Sequence, residues 1–283
     1  MCTTCGCSDD GGIRISTLDG SPQQEHPHPH GGDHAHQHSD GSGHSHESTE
    51  TIDLEENLLA KNDLLAARNR GWLANRGIRA FNVMSSPGAG KTTLLVRTIQ
   101  EMGDRLDISV IEGDQETNLD ADRIRATGRP VIQINTGAGC HLDADMMQRG
   151  LVALAPAADS TLFIENVGNL VCPALFDLGE TAKLVIISVT EGDDKPQKYP
   201  HMFMAADLVI INKSDLLPYV EFDVDACLRQ ARQLNPDVEV LILSATTGEG
   251  LDGWYDWLAR PPAIPTVSTD AGTVPERETT LMR

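Results

Sequence analysis

From Arg79 onward the chain falls into short unbroken apolar runs separated by stretches of helical periodicity. The runs cover residues 81–84, 108–111, 131–134, 161–164, 184–189, 208–211 and 238–243. Runs this short, without polar alternation, suit strands buried on both faces, and their alternation with helices implies βαβ units in a mostly parallel sheet. Before them, Leu54, Leu58, Leu65, Trp72 and Leu73 follow a helical stripe. Asp53 reads as its N-cap with Glu56 three residues on, which predicts a helix from about residue 53 to 75. Between Ser21 and Glu50 the only apolar residue is Ala35, so this stretch has nothing to bury against the entropy of ordering and reads as a disordered tether. The segment after Arg260 is rich in Pro, Thr and Glu without periodicity and is expected to fray. No internal repeat is evident.

Composition narrows the classes. A chain of 283 residues holds one large domain with tails, or two small ones. The 22 Lys and Arg against 42 Asp and Glu give a net charge of −20, which argues against nucleic acid as a partner. No apolar stretch is long enough to span a bilayer, and the first residues lack the basic and apolar regions of a signal peptide. The expectation is a cytoplasmic protein without membrane contact. Six cysteines in that setting point to metal binding or redox chemistry before disulfides.

The first strand ends in Ser85-Ser86-Pro87-Gly88-Ala89-Gly90-Lys91-Thr92, followed by Thr93-Leu94-Leu95. Small residues between a strand and a helix let backbone N–H groups converge on phosphate oxygens, aided by the helix dipole. Gly88, Ala89, Gly90 and Thr93 belong to this cradle, Lys91 would reach the β- and γ-phosphates, and Thr92 would place its hydroxyl on Mg²⁺. Ser85 stands where a first glycine is usual. Asn212-Lys213-Ser214-Asp215 follows a later strand in the N-K-x-D pattern of guanine-nucleotide proteins. The Asp215 carboxylate can accept from guanine N1–H and its 2-amino group, a donor pair adenine lacks. Asn212 would support the loop, the Lys213 stem would cover the ring, and Ser244-Ala245 resembles the segment whose N–H meets the guanine O6. Glu165-Asn166-Val167-Gly168 resembles the D-x-x-G switch with Glu in place of Asp: Glu165 would hold Mg²⁺ through water, and the Gly168 amide would sense the γ-phosphate. Asp114, after Glu112-Gly113, is a second Mg²⁺ or water-positioning carboxylate, with a turn or N-cap role as the alternative. With no glutamine or arginine finger evident, slow intrinsic turnover is expected.

Two further groups carry metal chemistry. Cys2, Cys5 and Cys7 can wrap one ion with the α-amine as a fourth donor, an arrangement that suits Ni²⁺, with Zn²⁺ as the rival and exposed redox thiols as the plain alternative. Eight of the ten histidines lie between His26 and His46, a weak reservoir for Ni²⁺, Cu²⁺ or Zn²⁺. In the core, Cys140 and His141 are adjacent, so both can serve one ion only outside regular helix or across a subunit interface. Cys172, just past Gly168, is the expected third ligand; a merely buried role for Cys140 is the alternative. Cys227 and His201 read as structural or incidental.

These segments together resemble the HypB family of GTPase accessory proteins, which assist nickel insertion into [NiFe]-hydrogenase. The resemblance covers about residues 52–260 plus the first seven. It rests on the 2–7 cysteine motif, the 85–92 loop, Cys140-His141-Leu142-Asp143, the 165–173 segment and Asn212-Lys213-Ser214-Asp215. It implies an α/β P-loop NTPase with a mostly parallel sheet, flanked by a disordered Cys/His-rich N-terminal tail. The units would be a metal-binding tail over 1–50, a GTPase domain over 51–262 and a flexible C-terminal tail over 263–283. It further implies hydrolysis of GTP to GDP and phosphate, Mg²⁺, Ni²⁺ and Zn²⁺ as ions, and a homodimer with Cys140, His141 and Cys172 near its interface. The implied partners are a HypA-type metallochaperone and the hydrogenase large-subunit precursor. The urease accessory GTPase UreG shares the nucleotide motifs but carries Cys-Pro-His where this chain has Cys140-His141. A nickel or zinc storage protein would explain the tail but not the intact nucleotide motifs.

Overall fold

The computed structural model describes residues 14–16, 47–115, 119–137 and 139–260; the 2–7 cysteine motif, the histidine tract and the C-terminal tail lie outside them. In chain order the first half runs β1 (Arg14–Ser16), α1 (Glu47–Ala74), β2 (Arg79–Ser85), α2 (Lys91–Met102), β3 (Ile108–Asp114), α3 (Leu119–Arg125), β4 (Val131–Asn135) and α4 (Ala144–Leu154). The second half runs β5 (Thr161–Glu165), a 3₁₀ turn (Cys172–Ala174), β6 (Ala182–Ser188), α5 (Lys195–Lys198) and α6 (Pro200–Met204). It continues through β7 (Leu208–Asn212), a 3₁₀ turn (Ser214–Tyr219), α7 (Val224–Leu234), β8 (Glu239–Ile242) and α8 (Leu251–Ala259).

All seven apolar runs form strands, and all seven pair in parallel, in the order β4-β3-β5-β2-β6-β7-β8. One strand has no counterpart among those runs. The backbone of β1 pairs antiparallel with β4 and forms that edge of the sheet. From β2 the chain departs first to one side, through β3, β4 and β5, and then to the other, through β6 to β8. Such a reversal opens a crevice at the carboxyl ends of the central strands, where ligands bind in open α/β sheets.

Alternation along each strand divides the core between the faces. Phe81, Val83, Leu184 and Ile186 pack with Leu94, Leu95, Ile99 and Trp254 from α2 and α8. On the other face Val185 and Ile187 meet α6 and α7 through Phe203 and Ala231, and Ala80, Leu162 and Ile164 meet α1 and α4 through Leu73, Met147 and Leu151. Trp254, wholly buried, still satisfies its indole N–H by donating to Thr98 Oγ1 at 2.9 Å.

Helix α1 differs from its sequence reading in two respects. It begins at Glu47, so Asp53 lies within the helix and not at its cap. Of the predicted stripe Leu73 is buried and Leu65 and Trp72 are half-buried, but the other inward positions are Asn62, Ala66 and Asn69, and Leu58 faces outward. Burying two asparagines is tolerated because each is hydrogen-bonded to backbone. Asn62 donates to the Asp177 carbonyl at 2.8 Å and accepts from the Ala144 N–H at 2.9 Å, while Asn69 donates to the Ala144 and Leu178 carbonyls at 2.8 and 3.1 Å. Helix α1 thereby clamps two loops at the carboxyl edge of the sheet.

Gly179 permits this clamp. Its φ is +89°, and a Cβ there would lie 2.5 Å from the Ala66 carbonyl oxygen and 2.7 Å from the Arg70 nitrogen. Gly179→Ala is expected to destabilise the fold by about 2–4 kcal/mol, from left-handed backbone strain plus displacement of α1. Urea unfolding checks this, and a midpoint equal to wild type refutes it.

Candidate nucleotide and metal site

The loop after β2 ends with Gly90, in the left-handed region at the N-cap of α2, so the first N–H groups of that helix open onto the crevice. The departure from the usual loop pattern has a visible use. Ser85 is buried, donates to the Ser86 carbonyl at 2.6 Å and accepts from Lys91 Nζ at 2.8 Å. Burial pulls the Lys91 ammonium below its usual range, opposed by Glu165, Asp120, Glu112 and Asp114.

Glu165, at the end of β5, accepts from Thr92 Oγ1 at 2.6 Å. Its other oxygen is buried and has no hydrogen-bond partner. Beside it on β3, in direct register, stands Glu112, whose Oε2 is likewise buried and unpartnered. Burial pushes Glu165 up to about 7 against the pull of Lys91 and Thr92, and burial together with Glu165, Asp114 and Asp120 pushes Glu112 up to about 9. Two orphaned hard oxygens beside a threonine hydroxyl are the donor set a divalent cation such as Mg²⁺ takes, and a cation there would reverse both shifts. Asp114 ends β3 and accepts from the Gln115 N–H at 2.8 Å, so it serves a turn while lying at the same edge.

The 212–215 segment, expected from sequence to read the base, is fastened to the 85–92 loop. Asn212 donates to the Ala89 carbonyl at 2.8 Å and accepts from the Ala245 N–H at 3.0 Å, and Lys213 Nζ donates to the Gly88 carbonyl at 2.7 Å. Ser244 is buried and its hydroxyl accepts from the Thr247 N–H at 3.0 Å, holding the turn that presents Ala245. Asp215 Oδ1 is buried and unpartnered, a carboxylate oxygen open to donors. Gly168 sits against the phosphate loop from the other side, where a Cβ would come within 3.2 Å of Pro87.

Cys140, His141 and Cys172 form a second cluster, with ligand atoms all within 4.8 Å of one another. The two sulfurs are 3.0 Å apart, and Cys140 Sγ lies 3.7 Å from His141 Nδ1. Cys140 and His141 both precede Asp143, the N-cap of α4, so irregular backbone turns two neighbours toward one point. Cys172 opens a 3₁₀ turn with Pro173 behind it. Phe176 stacks on the His141 ring at 4.0 Å, and burial lowers the pKa of the imidazole, which favours the neutral, ligating form. Thiolate and imidazole donors suit Ni²⁺ or Zn²⁺ and not Mg²⁺. Cys2, Cys5 and Cys7 lie outside the described residues. Cys227 is buried on α7 with its thiol pushed up to about 12, and His201 lies exposed on α6, both away from the cluster.

Sequence reasoning missed two residues at the nucleotide site. Glu112 was readable as the neighbour of Asp114, but its role depends on the β3–β5 register. Arg123 of α3 donates to Thr93 Oγ1 at 3.0 Å and draws Glu165 down electrostatically; nothing in its spacing marks it.

Comparison with known proteins agrees with this layout. Residues 79–242 match the family model described as the CobW/HypB/UreG nucleotide-binding domain. The chain is 58% identical over 207 residues to hydrogenase maturation factor HypB of Rhizobium leguminosarum bv. viciae, covering 73% of this chain and 69% of that protein. It is 47% identical to HypB of Azotobacter vinelandii over 280 residues, 92% of each. A crystal structure of HypB from Helicobacter pylori in complex with nickel superposes with a TM-score of 0.66 at 40% identity, over 70% of this chain and 93% of that one. No helix among the described residues is long and apolar enough to cross a membrane.

Asp215→Asn replaces a carboxylate acceptor with an amide. Guanine-nucleotide affinity is expected to fall by about 10–100-fold, the worth of charge-assisted hydrogen bonds. Titration with a fluorescent GDP checks it, and unchanged affinity removes Asp215 from base recognition.

Proposed function

Because the chain belongs to the CobW/HypB/UreG nucleotide-binding family, and within it to the HypB hydrogenase maturation factors, we propose that it is a GTP-hydrolysing metallochaperone that binds nickel. Its task is to assist nickel insertion into the [NiFe]-hydrogenase large subunit during maturation. One observation carries the reading. The segment from Glu165 to Cys172 accepts a hydrogen bond from the phosphate-loop Thr92 at one end and completes the Cys140, His141 and Cys172 cluster at the other.

The steps follow from the groups in place. Asp215 accepts from the guanine edge, Asn212 and Lys213 hold the base-reading turn on the phosphate loop, and Ala245 lies against the base. The N–H groups of Gly88, Ala89, Gly90 and Thr93 surround the phosphates. Lys91 exchanges its Ser85 partner for β- and γ-phosphate oxygens and stabilises charge that develops as water displaces GDP from the γ-phosphoryl group. Mg²⁺, held by Thr92 and Glu165 with Glu112 and Asp114 adjacent, supplies charge neutralisation when bound. Gly168, against Pro87, is placed to respond to the γ-phosphate, and Cys172 moves with the segment it belongs to.

Nickel is the cargo in this reading. The tail cysteines Cys2, Cys5 and Cys7 and the histidine tract capture it, the core cluster holds it, and Zn²⁺ is the competing occupant. Val171 and Leu175 expose apolar surface on either side of Cys172, which favours a homodimer with the cluster near its interface. A HypA-type metallochaperone and the hydrogenase large-subunit precursor are the proposed partners, in the cytoplasm. The organisation in this reading is a metal-binding tail over 1–50, whose last residues already belong to α1, a GTPase domain over 51–262 and a C-terminal tail over 263–283.

Two variants test the reading. Lys91→Ala is expected to slow GTP hydrolysis by on the order of 100-fold or more, as loss of a transition-state charge partner does, while equilibrium dialysis still finds nickel on the tail. In a transfer assay with purified large-subunit precursor, nickel delivery should require GTP and fail for both Lys91→Ala and Cys172→Ala. Equal delivery by wild type and Lys91→Ala refutes the GTP-driven function and leaves storage as the better description.

A further inference from the structure

One buried side chain lies between the two sites and belongs to neither set of ligands. Asn166 follows Glu165 directly and is almost wholly inaccessible to solvent. Its N–H donates to the Val83 carbonyl at 3.0 Å, and its side-chain amide donates to Asn82 Oδ1 at 3.2 Å, both on the strand that feeds the phosphate loop. In the opposite direction its Oδ1 accepts from the Val167 N–H at 2.9 Å and from the Leu142 N–H at 3.2 Å, on the residue after His141. Both lone pairs of that oxygen are therefore in use. Neither amide it serves finds water nearby if the bond breaks, and a buried donor left unpaired is costly.

The Cys140–His141 loop is also held on either side: the Gly139 carbonyl before it accepts from Thr136 Oγ1 at 2.7 Å and Gln115 Nε2 at 3.2 Å, and Ala144 after it is held by α1. Asn62 and Asn69 of α1 bind the N–H and the carbonyl of Ala144, while Asn169, from the switch segment, donates to the Cys140 carbonyl at 3.3 Å. Two of the three cluster ligands thus sit on a loop whose ends are fixed, by Thr136 and Gln115 at Gly139 and by α1 at Ala144, and whose middle is tied to the switch segment. Cys172 is joined to that segment covalently, whereas the backbone of Cys140 and His141 is joined to it by these amides, alongside the side-chain contacts of Cys140 with Cys172 and of His141 with Phe176.

We propose that Asn166 is the positioning residue through which the state of the nucleotide site reaches Cys140 and His141. When the 165–168 segment shifts, the bond from Leu142 N–H to Asn166 Oδ1 draws the middle of the loop with it. The α1 clamp holds Ala144 still, so the Cys140–His141 backbone turns and does not translate. The inference rests on the preceding reading, in which nucleotide and metal binding are coupled, and adds which atoms carry the coupling.

Linkage makes the effect of metal on nucleotide affinity equal to the effect of nucleotide on metal affinity. The coupling is therefore read in the full chain as the ratio of GTP-analogue to GDP affinity, with and without Ni²⁺. The part lost in Cys172→Ala isolates the core cluster from the tail. Wild type is expected to show a Cys172-dependent factor in the range of about 5–150, and Asn166→Ala to bring it to within about twofold of one. Asn166→Ser guards against a folding defect, since its hydroxyl still accepts from Val167 N–H but does not reach Leu142; it should lose the factor as well. A wild-type factor that survives in both variants overturns the role of Asn166 and leaves the coupling intact. A wild-type factor of one overturns the coupling itself, and this assignment with it.

Discussion

The parallel pairing of β2 with β5, which sets Val83 opposite Glu165, is the constraint from which the site follows. A parallel register sends both chains out at the same edge, so the phosphate loop and the switch segment must begin side by side. The same strand pairs on its other side with β3 and brings Glu112 level with Glu165. Thr92 at the head of α2 is then within hydrogen-bond reach of a carboxylate distant in sequence. Nothing in this arrangement depends on the flanking loops being rigid. Strands buried on both faces fix it, and their apolar side chains supply the stability.

The cost of the arrangement is electrostatic. Lys91, Glu165 and Glu112 share a poorly solvated edge, and each is displaced from its ordinary ionisation, the lysine downward and both carboxylates upward. A fold selected for stability alone would fill this edge with apolar side chains. Three ionisable groups displaced from their ordinary range around unpartnered oxygens suit a site that ions and phosphates would complete. The cysteine and histidine cluster, one of whose ligands lies on the switch segment, follows the opposite chemistry: soft donors, a stacked ring, and no unpaired carboxylate in the ligand set.

Most of the sheet was legible because each strand is a continuous apolar run, and the phosphate, base and switch segments were legible because their spacing is local. What escaped was set by pairing across the sheet or by side chains that look wrong for their place. Glu112 carries no signal until β3 and β5 are in register. The predicted stripe of α1 was drawn through apolar residues and included Leu58, which lies outside, while Asn62 and Asn69 are buried. Their burial is explained only by the loop carbonyls and amides they meet. The start of α1 was misplaced because Asp53 has the chemistry of a cap, and a cap residue within a helix cannot be told from one at its end by composition. β1, three residues long, was too short to show a period.

The amide of Asn212 and the ammonium of Lys213 both end on carbonyls of the phosphate loop. The two halves of nucleotide recognition are therefore one mechanical body. A base that seats badly does not merely bind weakly; it tugs on Gly88 and Ala89 and disturbs the cradle in which the phosphates must be aligned. In the GTPase proposed above, fidelity would be expressed twice, once as affinity and again as turnover, so a mispaired nucleotide that did enter would still be a poor fuel.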